Sequence, residues 1–116
     1  MNNRRSFIVG IKSVKLSLKE KKFIQKYKPW GIILFKRNIK SIKQSKKLTN
    51  DIRKIFKDDK YPILIDQEGG RVNRLENIIS LDNFTSEFFG KKYLKDQMKF
   101  EILFKLFFDK TSYLLN

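Results

Sequence analysis

The sequence predicts an α/β fold, a parallel sheet covered by helices, and two observations carry that reading. Three short runs, at residues 6–11, 31–35 and 61–65, are apolar almost throughout instead of alternating with polar residues. Strands of parallel sheets read this way, because their crossover helices bury both faces. Between the runs lie two stretches with helical spacing, giving the order strand, helix, strand, helix, strand. That order fits a doubly wound sheet and a barrel of alternating strands and helices equally well.

The first run, SFIVGI, is short and β-branched, as a buried strand should be. Ser17-Leu18-Lys19-Glu20 follows as a capping box, with Ser at the cap and Glu three residues on. The helix it opens aligns Phe23, Ile24 and Tyr27 on one face, and Pro29 ends it. GIILF is the second strand. Ser41 caps a second helix, whose Leu48, Ile52, Ile55 and Phe56 fall at i, i+4, i+7 and i+8. A polar turn, Lys57-Asp58-Asp59-Lys60, leads into YPILI, the third strand, with its proline tolerated near the start.

Residues 66–81 hold Gly69-Gly70 and several polar side chains, and read mainly as a loop. A last helix is expected over about 95–115. Met98, Phe100, Ile102, Leu103, Phe104, Leu106, Phe107 and Phe108 surround it almost completely, so it needs burial on more than one side. There is no repeat, linker or low-complexity tract, and the 116 residues are expected to form one domain or part of one.

Composition narrows the chemistry. With neither Cys nor His, the chain lacks disulfides, thiolate metal sites and the commonest general base. No metal and no cofactor is expected. The net charge is +15, from 27 Lys and Arg against 12 Asp and Glu, which raises the question of a nucleic-acid or membrane partner. The basic residues are scattered, however. The absence of Ala beside abundant Lys, Asn, Ile and Phe points to A- and T-rich codons as the source. Neither a specific nucleic-acid partner nor a membrane is expected. No apolar stretch approaches a signal-peptide core or the ~20 residues of a membrane span, and the expected location is the cytoplasm.

The segment most informative about function is Asp66-Gln67-Glu68-Gly69-Gly70-Arg71-Val72-Asn73-Arg74-Leu75. It places a carboxylate where a buried strand runs out, and ligands of both candidate architectures bind beyond the carboxyl ends of the strands. Two glycines permit a tight turn or a close backbone approach. Arg71 and Arg74 can donate to hydroxyls or to a carboxylate. The plainer alternatives are an Asp66 or Glu68 that caps a short helix or pairs with Arg71, and a Gly69-Gly70 that is an ordinary turn. The glycine spacing fits neither a phosphate loop nor a dinucleotide fingerprint.

This segment resembles the D-Q-E-G-G-R-V-x-R-L signature of the bacterial β-N-acetylhexosaminidases of glycoside hydrolase family 3. Gly31-Ile32-Ile33-Leu34-Phe35-Lys36-Arg37-Asn38-Ile39 resembles their G-(V/I)-I-L-F-x-R-N-(I/V) segment, at a similar separation, and Ser17–Glu20 loosely matches their first helix start. The likeness is best over about 7–75 and weak beyond 81. It implies an α/β fold that is a partial (β/α)8 TIM barrel: its first three strands as a parallel sheet, with flanking helices. It also implies retaining hydrolysis of terminal β-linked N-acetylglucosamine, as in peptidoglycan recycling. Asp66 and Arg74 then match substrate-binding positions. Glu68, Gly69, Gly70 and Arg71 match positions that support the loop.

The departures are as informative. The family uses an Asp nucleophile and a His acid/base from later strands, and this chain has no His. A barrel needs about 250 residues. A retaining glycosidase needs two catalytic groups, ~5 Å apart in the usual carboxylate pair, and Glu68 with Asp66 is the only local candidate and a poor one. The chain is therefore expected to be an amino-terminal fragment of such an enzyme, from a truncated, split or incompletely read gene. It would carry no catalytic residue and have no activity alone. Its partner would be an N-acetylglucosamine-containing saccharide, with a second chain completing the barrel as a further possibility. The competing readings are a basic polyanion or nucleic-acid binding module, which should interleave exposed aromatics with its cations, and a small doubly wound regulatory domain.

Overall fold

A computed structural model describes residues 3–115 of the chain, with the side chain of the last of these left aside. They form β1 (Arg5–Gly10), α1 (Leu18–Tyr27), β2 (Pro29–Leu34), a 3₁₀ turn (Lys36–Asn38), α2 (Ile42–Phe56), β3 (Ile63–Ile65), α3 (Ser86–Lys95) and α4 (Gln97–Leu115). Two compact units result. One holds residues 1–67 and 74–80, the other residues 68–73 and 81–116.

In the first unit the three strands lie in the order β1-β2-β3 and both pairings are parallel. Val9 is level with Ile32, which is level with Ile63, and Leu34 is level with Ile65. Ile11, Ile32 and Leu34 form one buried cluster with Ile24 of α1 and Leu48 and Ile52 of α2. Ile32 and Ile52 are wholly buried, and each such side chain contributes about 2 kcal/mol of burial. The space at Gly31 is tight, since a Cβ there would stand 2.8 Å from Leu64 Cδ1 and 3.1 Å from the Pro62 carbonyl, and both neighbours would have to shift.

The expected caps are present. Ser17 accepts from the Glu20 N–H, and the Glu20 carboxylate accepts from the Ser17 N–H at 2.8 Å, completing the box. Ser41 caps α2 through the Gln44 N–H at 3.2 Å. Both helices end in a left-handed lysine, Lys28 and Lys57. Helix α1 therefore stops one residue before Pro29, which opens β2 two residues earlier than the apolar run suggests. Strand β3 is shorter than expected, since Tyr61 and Pro62 precede it. Tyr61 is buried, stacks on Phe56 with centroids 3.8 Å apart, and donates its hydroxyl to the Pro29 carbonyl at 2.9 Å. Burial pushes its phenol up to about 12, with the Arg4 charge pulling the other way.

The second unit begins with a tight turn. The Gly69 N–H donates to the Val72 carbonyl and the Val72 N–H to the Gly69 carbonyl, while the Gly70 N–H reaches the Leu81 carbonyl. Gly69 and Gly70 both have positive φ, 85° and 55°. Helix α3 was not expected from the sequence. Thr85 caps it by accepting from the Phe88 N–H at 3.0 Å. Asp96 then separates it from α4 and accepts from the Lys99 N–H at 3.0 Å. The last helix thus begins at Gln97. Phe89 sits at the centre of an aromatic cluster, edge-on to Phe100, Phe104 and Phe107 at 5.2–6.3 Å. Met98, Ile102 and Leu106 along α4 stay exposed.

Candidate saccharide site at the strand ends

Parallel strands deliver their carboxyl ends to one edge of the sheet, and the conspicuous polar groups of the first unit gather there. Asp66 is the first residue after β3. Arg74 reaches back to it twice, Nη2 to the carboxylate Oδ2 at 3.1 Å and Nε to the Asp66 backbone carbonyl at 3.2 Å. A third bond, from the Arg74 N–H to Gln67 Oε1 at 2.8 Å, ties the arginine backbone to the residue after Asp66. Both side chains remain accessible, at 28% for Arg74 and 48% for Asp66. Of the alternatives open in the sequence, the geometry therefore selects Arg74 rather than Arg71 as the partner of Asp66.

Phe35, the first residue after β2, contributes its ring. The Arg74 guanidinium lies 5.7 Å from its centroid and the Arg37 guanidinium 4.6 Å. At the end of β1, Gly10 leaves room for this arrangement. A Cβ there would stand 3.1 Å from the Phe35 ring and 3.3 Å from Arg37 Nη2.

Asn38 ties the segment after β1 to the turn after β2 that carries Phe35 and Arg37, a role that sequence reasoning did not assign. It is fully buried. Its Nδ2 donates to the carbonyls of Ile11 and Ser13 at 3.1 and 2.9 Å, and its Oδ1 accepts from the Phe35 N–H at 2.9 Å. Gln44 adds bonds to the Val14 and Asn38 carbonyls. The Ile11 and Ser13 carbonyls lie more than 20 residues away along the chain, so no local signal announces those bonds. The asparagine's place in the F-x-R-N segment was the one available hint.

Glu68, Gly69, Gly70 and Arg71 belong to the turn of the second unit. Its backbone supplies the bonds given above, whereas the side chains of Glu68 and Arg71 are exposed and make no hydrogen bond or ion pair among the described residues. Other acids of the first unit are engaged elsewhere: Glu20 in its capping box, Asp51 with Lys47, Asp58 with Arg4 and Glu76 with Lys36. Asp66 and Arg74 thus offer an acceptor and a donor side by side, suited to sugar hydroxyls. Among the described residues no cluster of three potential metal ligands occurs, and no helix is long and apolar enough to cross a membrane.

No protein-family model matches the chain. A curated relative does: the Beta-hexosaminidase of Psychromonas ingrahamii is 37% identical over 81 residues, covering 70% of this chain and 22% of the relative. Among solved structures, NagZ from Neisseria gonorrhoeae in complex with N-trifluoroacetyl-D-glucosamine superposes with a TM-score of 0.56 at 35% identity, over 66% of this chain and 21% of that one. A glycoside hydrolase family 3 beta-N-acetylglucosaminidase from Paenibacillus sp. str. FPU-7 gives a TM-score of 0.57 at 33% identity, over 65% and 15%. The chain thus spans about a fifth of the length of the relatives it matches. Strand-end motif, parallel sheet and sequence identity together make it a homologue of the bacterial beta-hexosaminidases of glycoside hydrolase family 3, matching a fragment of their length.

Proposed function

We propose that the chain is the sugar-gripping portion of a β-N-acetylhexosaminidase, part of a (β/α)8 barrel domain that spans residues 1–116 here. Asp66 accepts hydrogen bonds from hydroxyls of a terminal N-acetylglucosamine residue and Arg74 donates to it. The Asp66–Arg74 pair at the carboxyl end of β3 carries the reading. The Neisseria relative bound to an N-acylglucosamine analogue supports the same sugar class. Glu68, Gly69, Gly70 and Arg71 shape the loop that follows.

The substrate is a peptidoglycan fragment, in a cytoplasmic recycling role. The nucleophile and the proton donor come from further polypeptide, which also supplies the remaining strands of the barrel, so the chain alone binds without cleaving. Titration with N-acetylglucosamine followed by NMR should shift resonances of residues 66–75, and Asp66→Asn should abolish the shifts. A chromogenic N-acetylglucosaminide should not be turned over by the purified chain. Absence of any sugar-dependent shift, or clear turnover, would overturn the proposal.

The polyanion-binding alternative needs cations and exposed aromatics on one surface. The first unit has 20 Lys and Arg against 6 Asp and Glu, a net +14. The second unit, which holds the exposed aromatics Tyr93, Phe104, Phe108 and Tyr113, has 7 against 6, a net +1. Most of the exposed rings therefore belong to the unit without the charge excess, which favours the saccharide reading.

A further inference from the structure

We propose that the cleft between α3 and α4 binds a small organic cation of the trimethylammonium type, its methyl groups held by aromatic rings and its charge by the Glu68 carboxylate. The inference goes beyond the saccharide reading, which gives this cleft no role.

The cleft lies within the second unit and measures about 480 Å3. Six rings line it: Phe89 and Tyr93 from α3, and Phe100, Phe104, Phe107 and Phe108 from α4. They do not stack into one slab. Phe100 and Phe104 lie nearly parallel, 5.0 Å apart with 30° between their planes, whereas Phe89 meets Phe104 at 90° and Tyr93 meets Phe100 at 85°. Ring walls at right angles suit a compact cation with several methyl groups, because each ring face carries partial negative charge. Tyr93, Phe104 and Phe108 stay exposed, so a ligand can reach them. Gly90 also borders the cleft, and a Cβ there would meet nothing within 4 Å, so the backbone leaves open space at that point.

The charge around the cleft selects the sign of its ligand. Among the described residues, Glu68 is the one charged residue that borders it. The Glu68 carboxylate is exposed and makes no hydrogen bond or ion pair among the described residues. The chain as a whole has 27 Lys and Arg against 12 Asp and Glu, so a cleft bordered by an acid and by no base runs against its composition. Lysines on the same helices have other partners: Lys91 pairs with Glu87, Lys99 with Asp96, and Lys92 lies over Phe88. A neutral apolar ligand would gain burial from the rings but leave the carboxylate without a partner, and an anion would be repelled. Only a cation with an apolar surface uses both.

The experiment compares choline with the neutral alcohol in which carbon replaces its nitrogen. The two share a shape and differ in charge. Each is titrated into the full chain at an ionic strength held constant with sodium chloride, and the Phe and Tyr ring resonances are followed by NMR. Choline should bind about tenfold more tightly than the alcohol, from a few cation–π contacts and one exposed charge pair. Glu68→Gln should cut that preference about threefold. Phe104→Leu keeps the lining apolar, and it should weaken choline binding about threefold while leaving the alcohol nearly unchanged. Should Phe104→Leu fail to fold, the exposed Glu68 carries the test by itself. Equal affinities in the wild type, a preference untouched by Glu68→Gln, or choline shifts confined to residues outside the cleft would overturn the proposal. The Asp66–Arg74 reading would stand in each case, since the sugar titration tests it separately.

Discussion

Arg74 holds Asp66 by side chain and backbone at once, with Nη2 on the carboxylate and Nε on the carbonyl of the same residue. Lysine could make one of these contacts but not both. Arg74→Lys should therefore leave the carboxylate poorly aimed and weaken N-acetylglucosamine binding about tenfold in an NMR titration. The pair is partly exposed, so the unfolding free energy should change by no more than about 1 kcal/mol.

Asn38 should behave in the opposite way. It touches no ligand in the proposed site, yet its buried amide satisfies two carbonyls and one N–H. Truncation to Ala removes the side-chain partner of the Ser13 carbonyl and the Phe35 N–H and leaves the Ile11 carbonyl only its bond from Arg37 Nε, so Asn38→Ala should cost about 2–4 kcal/mol in urea unfolding. Asn38→Asp should be at least as damaging, because a carboxylate would then face two carbonyl oxygens.

Tyr61 predicts an alkaline limit. Its phenol is raised from the ordinary 10 to about 12 in the folded protein, so the native state holds that proton more tightly than the unfolded chain. The corresponding stability is fully present below pH 10 and is lost as the pH rises towards 12. Tyr61→Phe should lose about 1 kcal/mol at neutral pH through the missing bond to Pro29. Its stability should then decline less between pH 10 and 12 than that of the wild type, as denaturant titrations at several pH values would register.

Three glycines should separate cleanly on substitution by Ala. At Gly69 a Cβ would lie 2.5 Å from the Phe84 carbonyl, and φ is positive as well. Gly69→Ala should destabilise the chain by more than about 2 kcal/mol. Gly70, with a Cβ 2.7 Å from Thr85 Cγ2, should lose less because a side chain can move. Gly90 lies inside α3 with nothing within 4 Å. Gly90→Ala should therefore add about 0.5–1 kcal/mol. Thermal unfolding of the three variants would rank them.

The sheet and its first two helices were legible because the cues are local: apolar runs, Ser17 with Glu20, Ser41, and the spacing of Leu48 and Ile52. Helix α3 was hidden by the polar approach around Asp82 and Asn83 and by Gly90 in its middle. Its start is marked only by Thr85 at the cap and Glu87 in the first turn. Asp66 could be placed from the end of its strand alone. Its pairing with Arg74 could not, since a loop separates them and Arg71 was an equal candidate on chemistry. The motif supplied Arg74. Nothing in the sequence indicated that Phe35 would lie beside both guanidinium groups, because that depends on the parallel register and on the space left by Gly10.

The brevity of β3 bears on how the protein behaves when crowded. Among the described residues it is an outer strand of the sheet, and until further strands close the barrel an outer strand invites strangers to extend the ladder. Only three residues long and preceded by Pro62, which has no N–H to lend, it gives an intruding chain little to zip onto. Fibril-like growth should therefore start less readily there than at a longer, uninterrupted strand.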